Sequence, residues 1–230
     1  MQELAQGFRE AIQLLLTFDP ELYEIVGLSL FVSLSSVVIS TCVGVPAGVW
    51  VGLHQFPGKR AFIRITYTLM SLPPVIAGLF IFLLIMRKGP LGTLGLSFTP
   101  AAMIIAQVFL VTPIITGLTY NIVKEKAPKI KALAKTLGAN RGEAMKLLIF
   151  ELRVGILAAV VSGLGRAISE VGAVMLVGGN IVGKTRVMTT YIAQLQRMGN
   201  YERAIAVAIV LLLISFALNA ILYNIQERNA

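Results

Sequence analysis

The sequence is poor in the charged residues with which soluble proteins cover their surfaces. Only 13% of its 230 residues are charged, against about 25% in an ordinary soluble domain. Hydrophobic residues make up 57%, against about 45–50% in such a domain. The chain cannot enclose this much apolar surface, so the composition predicts an integral membrane protein of the all-α, polytopic class.

Side chains that perform covalent or metal chemistry are equally scarce. Cys42 is the one cysteine and lies in an apolar run, and His54 is the one histidine. A single cysteine excludes an internal disulfide, and neither residue has a second ligand nearby for a metal. We therefore predict no catalytic residue, no metal site and no cofactor, which disfavours a membrane enzyme. The net charge of +9 does not indicate a nucleic-acid partner, because most basic residues lie in loops between apolar runs.

Apolar runs long enough to cross a bilayer, about 20 residues each, predict about five spans. They lie at residues 25–53, 62–86, 101–123, 154–177 and 204–223. Residues 1–24 are too polar to span and predict an outer amphipathic helix. Residues 178–203 predict an outer excursion with a short helix. The basic loops between the spans place the N-terminus outside under the positive-inside rule.

Small residues and prolines recur within these spans. Serine and glycine follow each other every three or four residues from Ser29 to Gly52, which favours close helix packing over the lining of a pathway. Pro46 predicts a kink in the first span, and Pro73-Pro74 predict a bend in the second.

The strongest interruption of the apolar pattern is residues 124–153, the basic loop, with eight basic and three acidic residues. Ala127-Pro128 predicts the end of one helix and the start of another. Gly138 predicts a left-handed helix cap, residues 139–142 a turn, and a second helix begins near Glu143. The basic loop thus predicts a cytoplasmic helix–turn–helix that meets a soluble partner. Adsorption of its lysines to acidic lipid headgroups is the alternative. The apolar faces of the two helices are Ile130, Leu133, Ala134 and Leu137, then Met145, Leu148, Ile149 and Leu152.

Within the basic loop, Ala134, Thr136-Leu137 and Gly138 resemble the EAA loop of ABC importer permeases. Ala132 stands where that family has glutamate, and Glu151 where it has a proline. Leu133 replaces the first alanine of the pattern, and Leu148 and Phe150 replace its later isoleucine and leucine. The resemblance implies that a groove on a separate ATPase subunit receives this loop. The coupling residues that it implies are Ala132, Leu133, Ala134, Lys135, Thr136, Leu137, Gly138, Ala139, Asn140 and Arg141.

Polar residues inside the predicted spans are candidates for a substrate pathway. Polar groups at membrane depth turn toward neighbours or a water-filled cavity, and for the third span both alternatives stay open. Arg166 and Glu170 are four residues apart and can pair on one helix face, where we favour a structural pair over a charged element on the route. The pathway candidates are Thr112, Thr116, Ser162, Arg166, Ser169 and Glu170.

Residues 178–185 formally fit the phosphate-binding pattern G-x-x-x-x-G-K-[ST]. That chemistry needs a strand before the loop and a helix after it, and here a membrane helix precedes it. We interpret the match as chance, so the ATPase must be another chain. Basic residues of the predicted outer segments leave the outer side positive, which would favour a vestibule that attracts an anion. They are Arg87, Lys88, Lys184, Arg186, Arg197 and Arg203.

Two further segments are similar to molybdate and tungstate permeases: residues 165–175, with R-x-x-x-E-x-G-A, and Gly179-Asn180-Ile181. Residues 185–190 resemble the tungstate branch more closely. The similarity runs from Glu21 onward and implies a type I, MetI-like helical permease of a prokaryotic plasma or inner membrane, in a single domain over residues 1–230.

The implied function is ATP-driven tungstate import by alternating access. The implied partners are a second copy of this chain, two ATPase subunits, an extracytoplasmic binding protein and membrane lipid. A molybdate, sulfate or other anion importer is the alternative, and an ATP-independent transporter or channel is a further one.

Overall fold

The computed structural model describes residues 2–17 and 19–228 and contains no strand in these ranges. The all-α prediction is therefore confirmed. A short 3-10 helix, Gly92–Leu94, precedes α5. The α-helices of the described ranges are α1 (Gln2–Leu16), α2 (Pro20–Leu53), α3 (Lys59–Met70), α4 (Pro74–Ile85), α5 (Pro100–Thr136), α6 (Arg141–Ile168), α7 (Gly172–Gly178), α8 (Met188–Arg197) and α9 (Tyr201–Arg228).

Four helices, α2, α5, α6 and α9, are long and apolar enough to cross a membrane. A fifth crossing results if α3 and α4, which are bent by 102° at a short break, form one span. This agrees with the prediction of about five spans. Pro73 and Pro74 lie at the break, as N-cap and first residue of α4, so the predicted bend is confirmed.

The segment predicted as one outer helix over residues 1–24 divides between two helices. α1 ends at Leu16, and α2 already begins at Pro20. Asp19 caps α2, because its carboxylate accepts a hydrogen bond of 2.9 Å from the Leu22 amide. Residues 1 and 18 of the predicted segment lie outside the described ranges.

Two predicted helix boundaries are wrong. α5 does not end before Pro128 but continues to Thr136. Val123 and Ala127 pack against Leu148 and Leu152 of α6 in one buried cluster, and this packing offsets the one backbone hydrogen bond that a proline removes.

The second wrong boundary concerns the span predicted over residues 154–177. α6 ends at Ile168, and a separate short helix, α7, begins at Gly172. The spacing of Arg166 and Glu170 predicts one continuous helix, so the prediction missed the break, at which Glu170 lies.

The small residues of α2 pack directly against α5. A Cβ atom on Gly48 would lie 2.7 Å from the Thr116 carbonyl oxygen, and one on Gly52 would lie 2.5 Å from Val123. Ser36 and Ser40 are buried in the same contact. The preference for packing over pathway lining is therefore confirmed for the part of this stripe from Ser36 to Gly52. The largest apolar core joins α2 and α5 with α4 and α7, and a second core joins α1, α2, α8 and α9 at the N-terminal end of α2.

Candidate coupling loop and translocation pathway

Gly138 ends α5 in the left-handed conformation, with φ of 70°. Its amide donates to the Lys135 carbonyl at 3.1 Å, and the Ala139 amide donates to the Ala134 carbonyl at 2.9 Å. These bonds satisfy carbonyls that the helix end would leave open. The predicted glycine cap is confirmed.

Asn140 caps the following helix. Its side-chain oxygen accepts from the amides of Gly142 and Glu143 at 2.9 and 3.0 Å, and the Glu143 carboxylate accepts from the Asn140 amide at 2.8 Å. Because this capping box starts α6 at Arg141, the turn is shorter than the predicted residues 139–142. The N-x-x-E spacing is a sequence signal for this start, and our interpretation missed it.

The turn projects beyond the depth of a membrane. α5 has 37 residues and α6 has 28, which correspond to lengths of about 55 and 42 Å. The hydrocarbon core of a bilayer is about 30 Å thick. Because the lysines of α5 lie between Lys124 and Lys135, we expect this end of the helix pair, with the turn around Gly138 and its two caps, to extend into the aqueous phase.

The predicted apolar faces of the two helices are only partly buried by the chain itself. Ala134, Leu148 and Leu152 are buried, whereas Leu133 and Leu137 are 54% and 72% exposed. The exposed apolar side chains of this end are Leu133, Leu137, Met145, Ile149 and Phe150. They form, together with the lysines, an amphipathic surface of the kind that another protein covers.

The pathway candidates of α5 lie inside the single chain. Thr112 donates a hydrogen bond of 3.1 Å to the Ser40 hydroxyl, and Thr116 donates one of 2.7 Å to the Thr112 carbonyl. Thr116 also abuts Gly44, where an added Cβ would lie 3.1 Å from its hydroxyl oxygen. These two threonines join α2 to α5.

The pathway candidates of α6 face away from the bundle. Ser162, Arg166 and Ser169 follow at intervals of four and three residues, on one side of the helix end. Nothing lies within 4 Å of a Cβ placed on Gly165, between them. Each serine hydroxyl donates to a backbone carbonyl of its own helix at 2.9 Å, which leaves its lone pairs and the Arg166 guanidinium, 35% exposed, on an open surface.

Glu170 occupies the break between α6 and α7. Its carboxylate lies 3.3 Å from the Arg166 guanidinium, so the predicted pair is confirmed, although it spans the end of α6 and not a continuous helix face. The carboxylate also accepts from the Ala173 amide at 2.9 Å. Its backbone carbonyl accepts from the Thr189 hydroxyl at 2.8 Å. Glu170 thus ties α6, α7 and α8 together.

A buried polar network beside this break was not among the predicted site residues. Gln107 donates to the Ala167 carbonyl at 3.1 Å and accepts from the Ser36 hydroxyl at 2.7 Å. A narrow cavity next to it is lined by Ser29, Ser33, Gln107, Glu170 and Thr189 among others, so only Glu170 of the six candidates reaches it. Gln107 is visible in the sequence as a polar residue of the third span, but its partner, the Ala167 carbonyl, lies in the last turn of α6, where the regular helical pattern of amides stops.

At the N-terminal end of α2, cations and carboxylates form a carboxylate–arginine cluster of Asp19, Glu21, Arg186 and Arg203. Arg186 and Arg203 reach the two oxygens of Glu21 at 3.1 and 3.0 Å, and Arg203 lies 4.0 Å from Asp19. The Tyr191 ring lies below both guanidiniums, at 4.9 and 6.0 Å. Burial raises the pKa of its hydroxyl above 10.0, against the opposing effect of Arg203. These two arginines are neutralised within the chain, which removes them from the predicted positive vestibule.

Residues 178–185 form a compact turn that uses its own polar groups. The Thr185 hydroxyl donates to the Gly178 carbonyl at 2.6 Å and accepts from the Ile181 amide at 3.0 Å. Gly179, Asn180 and Gly183 adopt positive φ angles there. In a phosphate-binding loop the amides and the hydroxyl would have to face a ligand, so this geometry agrees with our interpretation of the match as chance.

Comparison with known families decides what kind of membrane protein carries this loop. The family described as binding-protein-dependent transport system inner membrane component matches residues 44–230. The chain belongs to this family. It is a multi-pass inner-membrane permease subunit of the ABC transporter class, as the resemblance implied.

Individual members of the family align with nearly the whole chain. The tungstate uptake system permease protein TupB of Peptoclostridium acidaminophilum is 49% identical, over 99% of this chain and 100% of its own. TupB of Campylobacter jejuni is 36% identical, over 96% and 92%. The probable anion ABC transporter permease protein of Haloferax volcanii is 37% identical, over 90% and 91%.

Proposed function

We propose that this chain is the permease of an ATP-driven tungstate importer. The observation that carries the proposal is the 49% identity to a tungstate uptake permease over 100% of that protein's length. A substrate with two negative charges cannot cross bare hydrocarbon, so it requires a lined route. The route-forming chain performs no covalent step, and ATP hydrolysis takes place on a separate subunit.

The turn around Gly138 is the element on which that ATPase acts. It is short, capped on both sides and extends beyond the membrane on two long helices. A rigid projection transmits a displacement of a bound subunit to the helices behind it, whereas a flexible loop would absorb it. The exposed Leu137 and Ile149 supply apolar contacts, and Lys135 and Arg141 supply charge for the docking groove. Residues 132–141 are the docking segment in this proposal.

The route runs between two copies of the chain, along the open side of α6. Ser162, Arg166 and Ser169 share that side, and a second copy placed opposite would convert it into a polar groove. Hydroxyls and one partly exposed, paired arginine bind a dianion weakly, which permits release. Thr112 and Thr116 contribute packing between α2 and α5 in this arrangement. ATP binding would draw the two docking segments together and open the groove outward, where a binding protein delivers tungstate.

Transport in proteoliposomes tests this function. The chain is reconstituted with the ATPase that co-purifies with it and the binding protein of the same system, and uptake of labelled tungstate is followed. We expect uptake to require ATP and to be inhibited by unlabelled tungstate at lower concentrations than by molybdate or sulfate. Uptake without the ATPase would instead support an ATP-independent transporter or channel.

A sulfate importer is the second candidate. A sulfate transport system permease protein, CysW of Synechocystis, is 30% identical over 82% of this chain and 71% of its own. In the competition assay, equal inhibition by sulfate and tungstate would favour this candidate and contradict the tungstate proposal.

A further inference from the structure

A cleft at the C-terminal end of α2 is surrounded by cations. It lies between the α2–α3 connection and α5, and it is lined by Lys59, Arg60, Lys124 and Lys131. No aspartate or glutamate lines it in the described part of the chain. We name it the cationic cleft. Four positive charges around one concavity, without a carboxylate, favour an anionic occupant.

The backbone adds to this positive potential. α3 begins at Lys59, directly at the cleft, with no acidic residue in its first turn and no side chain that caps its amides. The N-terminus of a helix carries a partial positive charge and free amides. Lys59 is held in place, because its ammonium donates to the His54 carbonyl at 2.8 Å.

An aromatic frame places the cleft at the membrane–water interface. The ammoniums of Lys59 and Lys124 lie 5.8 and 5.9 Å from the centre of the buried Tyr120 ring. Trp50, half exposed, packs against Phe56 with the ring centres 4.8 Å apart. Tryptophan and tyrosine beside lysines are typical of the headgroup level of a bilayer.

An apolar crevice adjoins the cleft and shares two residues with it. Val51, Phe62 and Thr66 line this crevice, and Ile63 and Tyr120 lie between the crevice and the cleft. A free oxyanion has no use for such a surface, whereas a molecule with an anionic head and an apolar tail contacts both. α3, which presents cations at its start and exposed apolar residues after them, fits the same kind of molecule.

We propose that the cationic cleft is a binding site for the headgroup of an anionic phospholipid, with an acyl chain over the exposed Phe62 and Ile65 of α3. This site is separate from the docking segment and from the α6 groove. It would retain a lipid where α2, α3 and α5 meet, on the side of the bundle toward which the basic loop projects.

The single tryptophan of the chain, Trp50, packs against Phe56, which lines the cleft, and so reports lipid bound beside it. The full chain is placed in phosphatidylcholine liposomes that contain increasing fractions of brominated phosphatidylglycerol, whose bromines quench Trp50 fluorescence on contact. Brominated phosphatidylcholine measures the background from ordinary lipid exposure. We expect phosphatidylglycerol to quench at a much lower mole fraction. Equal quenching by the two lipids overturns the proposal.

Two interleaved lysine pairs on α5 provide matched variants. Lys124→Gln with Lys131→Gln removes two charges that line the cleft, and Lys126→Gln with Lys129→Gln removes two exposed charges that do not. A cation near an anionic headgroup contributes about fivefold in binding, so the first pair should weaken the preference for phosphatidylglycerol by about 25-fold. The second pair should leave it within about twofold.

Two further outcomes would overturn the proposal. Equal losses in both pairs would show that diffuse surface charge, and not the cleft, attracts the lipid. Displacement of phosphatidylglycerol by free tungstate or phosphate at millimolar concentration would assign the cleft to a soluble oxyanion. The circular dichroism spectrum of each variant shows whether it still folds. The single variant Lys131→Gln, at an exposed position, should weaken the preference for phosphatidylglycerol by about fivefold.

Discussion

The two ends of the helix bundle use their cations differently. At the start of α2, Arg186 and Arg203 each reach a Glu21 oxygen, at 3.1 and 3.0 Å, and Arg186 is only 9% exposed. At the far end, between Lys124 and Lys135, no lysine lies within ion-pair distance of a carboxylate in the residues that the structure describes. Both ends contain several basic residues, but the end at the start of α2 also contains Asp19, Glu21 and Glu24.

The difference separates structural charge from available charge. A cation that is paired and half buried holds helices together, because loss of either partner leaves the other poorly compensated. A cation in water contributes little to stability but remains free to meet a partner. Leucines are exposed beside the unpaired lysines of the basic loop, so this end presents a surface that a partner can bind. The carboxylate–arginine cluster instead holds helices of the same chain together.

The largest expected effect comes from two glycines with the same backbone conformation, one at each end. Gly138 and Gly199 have φ angles of 70° and 74°, and nothing lies within 4 Å of an added Cβ at either. A β-branched residue in this conformation costs about 1–3 kcal/mol, which reshapes the turn. We expect Gly138→Val to lower ATPase stimulation by about 20-fold and Gly199→Val to lower it less than twofold. The readout is ATP hydrolysis in the reconstituted complex, and similar losses in both variants would remove the coupling role of the basic loop.

The reverse asymmetry is expected for stability. Arg186→Gln leaves Glu21 with one arginine in place of two, whereas Lys135→Gln removes an exposed charge. We expect Arg186→Gln to lower the free energy of unfolding by about 1–2 kcal/mol, and Lys135→Gln by less than about 0.5 kcal/mol. Denaturant titration in detergent, followed by circular dichroism, measures both. If the lysine variant proved as unstable as the arginine variant, the contrast between the ends would fail.

Charge reversal tests the same contrast through the partner. Lys135→Glu with Arg141→Glu should lower ATPase stimulation about fivefold, because two exposed docking charges then repel an acidic groove. Lys184→Glu with Arg197→Glu, two exposed cations at the other end, is the control and should change it less than twofold. The loss should shrink as salt is added, since screening weakens exposed charges. A loss independent of ionic strength would mean that the variants distort the turn.

Local chemistry determined what the sequence could predict. Gly138 predicts a helix cap because left-handed backbone favours glycine. The serine–glycine stripe of α2 predicts close packing because its small side chains let another helix approach. For Gly138 the sequence neighbours alone specify the structure, whereas the stripe predicts a close contact without identifying α5 as its partner. At Pro128 the local signal gave a wrong prediction. A proline there favours the end of a helix, but packing of α5 against Leu148 and Leu152 of the next helix keeps α5 continuous.

The remaining features depend on residues far apart in the chain. Glu21 meets Arg186 across 165 positions, and no composition or period reveals that meeting. Polar periodicity shows that a helix has a polar side but not what covers that side. It therefore could not distinguish Thr112, which joins α2 and α5, from Ser162, which faces outward. The open side of α6 could therefore be recognised only in the tertiary structure.

The smallest expected effect tests the cohesion of the carboxylate–arginine cluster by pH. Burial raises the pKa of Tyr191 above 10.0, so the native chain keeps this proton to higher pH than the unfolded chain does. The associated stability is present below pH 10.0 and is lost as the pH rises beyond it. Tyr191→Phe should therefore flatten the fall in thermal midpoint between about pH 9.5 and 11, whereas Tyr201→Phe, at an exposed position, should leave it unchanged. Parallel curves for the native chain and Tyr191→Phe would mean that the phenol is hydrated, and the cluster would then be open to solvent like the basic loop.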